Sequence, residues 1–197
     1  MPTEVLATDL PSAASRRCPT AIAIAIPFAH AITLLLMGRI WWCACGTFNP
    51  ISLDAWGPHN SQHLIDPYAF SHLLHGVIFF FAFNWGAMRR RPAWGLVAAM
   101  LLESAWEVFE NTPFTINRYR ATAATFYNGD TILNSLSDLA ICVLGWFIAR
   151  RIGVAWSVVL FLVLEIGCLL WIRDNLTLNV INILHPFEAI KSWQSGH

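Results

Sequence analysis

Five apolar runs, each long enough to cross a lipid bilayer, take up most of a chain of 197 residues. They are approximately Thr20–Met37, Phe70–Met88, Ala93–Glu110, Thr131–Ala149 and Gly153–Ile172. A hydrocarbon core of about 30 Å needs about 20 mostly apolar residues at 1.5 Å each. A soluble core could absorb one or two such runs, but five would have no polar shell around them. Only 12% of residues are charged and 56% are hydrophobic, against about 25% charged in soluble domains. That balance excludes a disordered chain, a coiled coil and an ordinary soluble enzyme. The expected fold is all-α, a polytopic transmembrane bundle of about five spans. Twelve basic residues balance twelve acidic ones, so no basic footprint for nucleic acid exists.

Arginine clusters orient the bundle. Arg16-Arg17 precede the first run, Arg89-Arg90-Arg91 separate the second and third, and Arg150-Arg151 separate the fourth and fifth. Positive residues favour the cytoplasmic side. The N-terminus is therefore expected inside and the C-terminus outside. Residues 1–19 read as a disordered cytoplasmic tail, 20–172 as the bundle, and 173–197 as an interfacial tail with a helix around Leu176–Ile190. The first run is longer than a signal-peptide core and no small-residue cleavage site follows it, so it reads as an uncleaved anchor. Arg39, Arg118, Arg120, Arg173 and Lys191 fall outside, against the trend, and need another explanation. Trp41, Trp42, Trp94, Trp146, Trp156, Trp171 and Trp193 lie near run ends, as an aromatic belt would. The five cysteines are too scattered for a disulfide framework. Cys43-x-Cys45 alone is a weak metal signature and reads as small interfacial residues.

The ionisable residues converge on the outer side. His72 and His75 are i, i+3 near the start of the second run and share a helix face. Glu103, Glu107 and Glu110 form one stripe on the third run, and Asp130, Asn134 and Asp138 one on the fourth. His63 and Asp66 precede the second run. Charged groups at membrane depth are costly and normally face a protein interior or a water-filled cavity. Packing these faces together gives one outward-open polar cavity. His72, His75, Glu103, Glu107 and Asp138 are its candidate ligands for a divalent transition metal, with zinc, iron or manganese suiting His plus carboxylate. Glu110, Asp130 and Glu107 are the candidate acids and bases. Arg118, Arg120 and Arg173 would bind an anionic headgroup, with Asn134, His63 and Asp66 completing the substrate surface. Structural alternatives stand beside these readings: Asp130 as the N-cap of the fourth run, Glu165 as partner of His30, and Arg173-Asp174 as an ion pair.

The motifs CGT (45–47), SQH with DPY and SHLLHG (61–76), ESAWEVFENTPF (103–114), INRYR (116–120), YNGD with NSLSD (127–138) and WIRDNLTLN (171–179) resemble a bacterial family of small membrane proteins. That family is uncharacterised protein family 0314, also domain of unknown function 2585. The resemblance runs from about Trp42 to Gln194, with Pro67 standing where an aromatic residue is expected. It implies a multi-pass protein of the bacterial inner membrane and carries no activity.

Two functions compete. One is a metal-dependent enzyme, a membrane hydrolase acting on a lipid or lipid-linked substrate. The other is a non-catalytic proton- or cation-coupled carrier or small-ligand-binding protein. The chain contains neither a His-Glu-x-x-His helix motif nor a Gly-x-Ser-x-Gly elbow. Membrane lipid is the expected partner, and a homodimer is expected because five spans are few for a carrier.

Overall fold

The computed structural model describes residues 13–196. These residues form seven α-helices and one 3-10 turn, with no β-strand among them. The helices are α1 (Ala13–Leu36), α2 (Ala69–Phe83), α3 (Pro92–Glu110), α4 (Pro113–Arg120), α5 (Ile132–Ile172), α6 (Leu176–Leu184) and α7 (Glu188–Gln194).

Local chemistry sets most boundaries. Pro92 and Pro113 open α3 and α4, where a fixed φ suits the first helical position and no amide partner is lost. Thr131 caps α5 by accepting from the Asn134 amide at 3.3 Å. Asn175 caps α6 by accepting from the Leu178 amide at 2.8 Å. Both are side-chain oxygens satisfying an orphan amide.

α5 contains 41 residues but is not one rod. At 1.5 Å per residue a straight helix would hold residues 138 and 172 about 50 Å apart. Yet Asp138 approaches His72 at 3.9 Å, Asp174 bonds Tyr68 at 3.0 Å, and the Ile172 carbonyl accepts from Trp56 at 3.0 Å. Tyr68 and His72 are one helical turn apart, so the two ends of α5 lie beside the same end of α2. The chain reverses at Gly153 (φ 74°, ψ −177°), the one interior residue outside helical geometry. Glycine reaches that backbone region without a Cβ clash. α5 is thus an arm of residues 132–152 and an antiparallel arm of residues 154–172.

α2 packs closely against the first arm. A Cβ on Gly76 would lie 1.9 Å from the Cys142 carbonyl, and one on Gly145 would lie 2.0 Å from the Leu73 carbonyl. Two glycines therefore let two helix backbones touch, as small residues do in apolar bundles. Val77, Phe80, Ala99, Trp146 and Ala149 fill the space below this crossing. Ile26, Val97, Met100 and Leu139 bind α1 to α3 and the first arm. Arg89-Arg90-Arg91 lie in the α2–α3 connection and Arg150-Arg151 beside the Gly153 reversal. Both clusters occupy the bundle end opposite His72.

The structure refines the sequence expectations. Two helices, Cys18–Leu36 and Ile132–Ile172, are long and apolar enough to cross a membrane. α2 is shorter than the expected Phe70–Met88, because Asn84 and left-handed Gly86 (φ 55°) end it early. Residues 13–19 of the expected tail are helical and continuous with α1; residues 1–12 lie outside the described residues. The expected helix around Leu176–Ile190 is two helices. Pro186 forces His185 out of helical geometry (φ −154°, ψ 112°), and α7 restarts beyond it. Trp146 is not in an aromatic belt: it is 1% exposed and central to the core.

The α2–α5 crossing makes an uneven prediction. Gly145→Leu should cost more than about 3 kcal/mol, because overpacking here meets backbone and not a movable side chain. Gly167→Leu should be nearly neutral, since nothing lies within 4 Å of a Cβ there. Thermal unfolding of the two detergent-solubilised variants checks this.

Candidate functional site

Three helices and two turns converge at the end of the bundle remote from the arginine clusters. α2 presents His72 and His75, α3 presents Glu103, Glu107 and Glu110, and the first arm of α5 presents Asn134 and Asp138. Asp66 is fixed before α2 by accepting from the Tyr68 amide (2.7 Å) and the Ser61 amide (3.1 Å). Pro67 is fully buried within this turn.

Glu103 is the centre. It is 0% exposed, and its two oxygens take separate histidines: Oε1 accepts from His72 Nδ1 at 2.7 Å and Oε2 from His75 Nδ1 at 2.9 Å. Glu107 Oε1 lies 3.1 Å from the same His72 nitrogen. A carboxylate that holds Nδ1–H fixes the tautomer, so each neutral ring carries its lone pair on Nε2. His72 Nε2 is 3.9 Å from Asp138 Oδ2. Behind this core runs a relay. Ser135 donates to Glu107 Oε2 (2.5 Å), His30 Nε2 bonds Ser135 (2.7 Å), and His30 Nδ1 bonds Ser104 (2.8 Å). With Glu107 ionised, every hydrogen in that chain points toward it.

A small cavity, with room for about 40 Å³, opens in front of the histidines. His72, His75, Asp66, Glu110, Asp130, Asp138 and Asp174 line it with Tyr68, Tyr119 and Tyr127, and among the described residues no Arg or Lys does. Tyr119 donates to Glu110 at 2.8 Å, and Tyr127 donates to Asp130 at 3.0 Å. Asp130 also accepts from the Asn111 side chain at 2.5 Å. Burial raises the Asp66 and Asp130 carboxyls above their ordinary range. Asp138 Oδ1, Glu107 Oε1 and Asn134 Oδ1 are buried without a hydrogen-bond partner. Orphaned oxygens beside imidazole nitrogens match the donor set of a divalent transition metal. Two ligand groupings at this cavity are close enough to hold one ion: His72, His75 and Glu103, and His72, Glu107 and Glu110.

The structure brings together His72, His75, Glu103, Glu107, Glu110, Asp130, Asn134, Asp138 and Asp66. It does not bring in the arginines. Arg118 lies over the Phe114 ring, Arg120 bonds the Tyr127 carbonyl at 2.7 Å, and Arg173 bonds the Trp193 carbonyl at 3.0 Å. Arg39 bonds the Asp130 carbonyl at 2.9 Å. Arg39, Arg120 and Arg173 thus clamp outer backbone segments, which accounts for their place against the charge trend. His63 lies in the outer loop, with Nδ1 on the Asn49 carbonyl at 2.5 Å.

Three structural alternatives fall. Thr131, not Asp130, caps α5. Glu165 binds the start of α6 through the Leu176 and Thr177 amides (2.9 and 3.2 Å), while His30 bonds two serines. Asp174 bonds Tyr68 and makes no ion pair with Arg173. Sequence reasoning missed the three tyrosines and Ser135. Tyr119 and Tyr127 sit in or beside the motifs NRYR and YNGD, but a tyrosine in a polar outer loop gives no periodic signal of burial.

The chain matches the family described as "Protein of unknown function (DUF2585)" over residues 34–196. It is similar to a UPF0314 protein of Brucella anthropi, 43% identical over 89% of each chain. A UPF0314 protein of Rhizobium etli is 45% identical over 88% of this chain and 89% of its own. One of Sphingopyxis alaskensis is 41% identical over 89% of this chain and 94% of its own. No solved structure matches.

Two predictions arise from the network. Glu103→Leu leaves the buried His75 N–H unpaired and His72 with Glu107 alone, and should destabilise the protein by about 3–5 kcal/mol. Glu103→Gln keeps an acceptor and should cost less in the same thermal assay. The second concerns pH. Burial pushes Asp174 up to about 7, while an unfolded aspartate ionises near 3.9. Between those values the folded protein keeps a proton the unfolded chain has lost, so this group's contribution falls as pH rises from about 4 to 7. Asp174→Asn cannot ionise. Its thermal midpoint should gain several degrees on wild type between pH 5 and pH 8.

Proposed function

The chain belongs to the DUF2585 family, and from that premise we propose that it is a multi-span protein of the bacterial inner membrane whose outward cavity is a metal-dependent hydrolytic site for a lipid or lipid-linked substrate. The five spans would be α1, α2, α3 and the two arms of α5. Support for immersion comes from the outer faces: Leu170 is 80% exposed, and Phe28, Val154, Trp156 and Val163 are also solvent-facing. Hydrocarbon would cover such a surface without cost. The arginine clusters at the end away from the cavity support the orientation with the cavity outside.

One observation carries the chemical reading: a single buried carboxylate, Glu103, holds the Nδ1 of two adjacent histidines that line an acidic cavity. Histidines that ligate a metal are commonly oriented in this way by a carboxylate behind them. His72 and His75 through Nε2, with Asp138, would hold the metal, and Glu103 would orient them. When bound, such a metal would supply Lewis-acid polarisation of a phosphoryl or carbonyl oxygen. The residues around it have distinct tasks. Glu110, hydrogen-bonded by Tyr119, would take the proton of the attacking water and return one to the leaving oxygen. Asp130, held by Tyr127 and Asn111, would fix a substrate hydroxyl at the mouth. With no arginine in the cavity, an anionic headgroup would be neutralised by the metal itself.

The relay from His30 through Ser135 to Glu107 favours a second reading, a proton-coupled carrier. It requires that the chain move protons or a cation without loading a transition metal.

Metal analysis separates the two. In full-length protein with Cys43 and Cys45 changed to serine, one zinc, iron or manganese per chain is expected. His72→Ala/His75→Ala and Asp138→Asn should lose it, and Glu103→Gln should weaken its affinity about 10–100-fold. Folded protein that binds none of these metals after reconstitution contradicts the hydrolase reading.

A further inference from the structure

The outer loop between α1 and α2 (residues 37–68) has almost no regular structure. Its only ladder-like contact is an isolated bridge between Ile51 and Ile65. Within it, Cys43, Cys45, His59 and His63 gather so that one ligand atom from each lies within 4.8 Å of all the others. The pairs Cys-x-Cys and His-x-x-x-His are separated by 13 residues, and only folding unites them.

The distances suit a tetrahedral ion. Zinc binds sulfur at about 2.3 Å and imidazole nitrogen at about 2.0–2.1 Å, which places two such ligands about 3.5 Å apart across a tetrahedral angle. Cys43 Sγ and His59 Nδ1 are 3.4 Å apart. Three of the four ligands also have a positioning partner. Cys43 Sγ accepts from the Cys45 amide at 3.5 Å, and Cys45 Sγ meets the Thr47 hydroxyl at 3.1 Å. His63 Nδ1 donates to the Asn49 carbonyl, which leaves Nε2 as its ligand atom. The Trp42 ring covers His63 edge-on at 5.4 Å, and Cys43 and His63 are buried.

We propose that Cys43, Cys45, His59 and His63 form a structural zinc site of Cys2His2 type, separate from the cavity. Two thiolates and two imidazoles are a closed zinc set that leaves no position for substrate. Its place gives it a task. Residues 60–62 run between the two histidines, and Asn60 and Ser61 line the cavity. Ser61 is held in the left-handed region (φ 58°), unusual for a residue with a side chain. Its carbonyl accepts from the Thr131 amide at 3.0 Å, and its amide donates to Asp66. Zinc across His59 and His63 would hold this strained segment, and with it the cavity wall, on a loop that lacks a core of its own.

The test uses full-length protein purified in detergent without a histidine tag. Wild type should contain one zinc that Cys43→Ser/Cys45→Ser lacks and that His72→Ala/His75→Ala retains. Cobalt(II) loaded in its place should give thiolate-to-cobalt charge-transfer absorption in wild type, absent from the double-serine variant. A second measurement needs no variant. Cys45 is exposed, and peptide mapping after maleimide treatment should find it at least tenfold slower to react with zinc bound than after chelation. Equal zinc in wild type and the double-serine variant overturns the site. So does a Cys43–Cys45 disulfide in the native protein, or a maleimide rate that chelation does not change. A cavity that binds no metal would leave these outcomes unaffected.

Discussion

The structure depends on one carboxylate. Glu103 lies at the junction of α2 and α3, fully buried, with an oxygen for each of two histidines. Burying a charge in an apolar bundle is expensive unless it is paired and hydrogen-bonded. Here the pairing also dictates geometry. His72 and His75 must lie one above the other on α2, α3 must approach within hydrogen-bonding reach, and the first arm of α5 must close the other side. The contact of Gly76 and Gly145 with opposing backbone permits that closeness. A larger residue at either position would push α5 away and separate Asp138 from His72.

The outer elements are organised around the cavity by polar contacts. Asp66 fixes the entry to α2, Asp130 binds Asn111 and Tyr127, and Asp174 binds Tyr68. Glu165 holds the start of α6, whose Leu176, Asn179 and Asn182 line the cavity. Arginines at the rim donate to backbone carbonyls and do not enter. The result is a cavity rich in carboxylates, imidazoles and phenols and free of fixed positive charge. Such a lining favours a cation, and it places the demand for anion recognition on whatever cation binds.

Much of the architecture was legible because burial in this chain has a period. The Glu103/Glu107/Glu110 stripe, the His72/His75 pair and the Asn134/Asp138 pair each mark a helix face, and the structure unites them; Asp130, read as part of the last stripe, lies in the turn before α5 and joins the same cavity. The break between the two arms of α5 was visible as the pair Arg150-Arg151 between two apolar runs; that Gly153 makes the reversal was not. What the spacing could not tell was role. Glu103 and Asp138 each read as one member of a polar stripe aimed at the same cavity, yet one lies behind the histidines and the other in front. Arg118, Arg120 and Arg173 lie outside like the cavity residues, but whether a long side chain turns inward depends on which carbonyls face it. The cysteines of the outer loop were discounted because their histidine partners are distant in sequence and the loop has no repeating pattern.

The central claim is that Glu103 orients two histidines toward a metal in the cavity. X-ray absorption at the metal edge tests it most directly, on the metal-loaded chain carrying Cys43→Ser and Cys45→Ser. The account predicts a first shell of nitrogen and oxygen at about 2.0–2.2 Å with the outer-shell scattering of two imidazoles, and a loss of that scattering when His72 and His75 are replaced by alanine. A shell without imidazole, or a spectrum unchanged by that replacement, would contradict it.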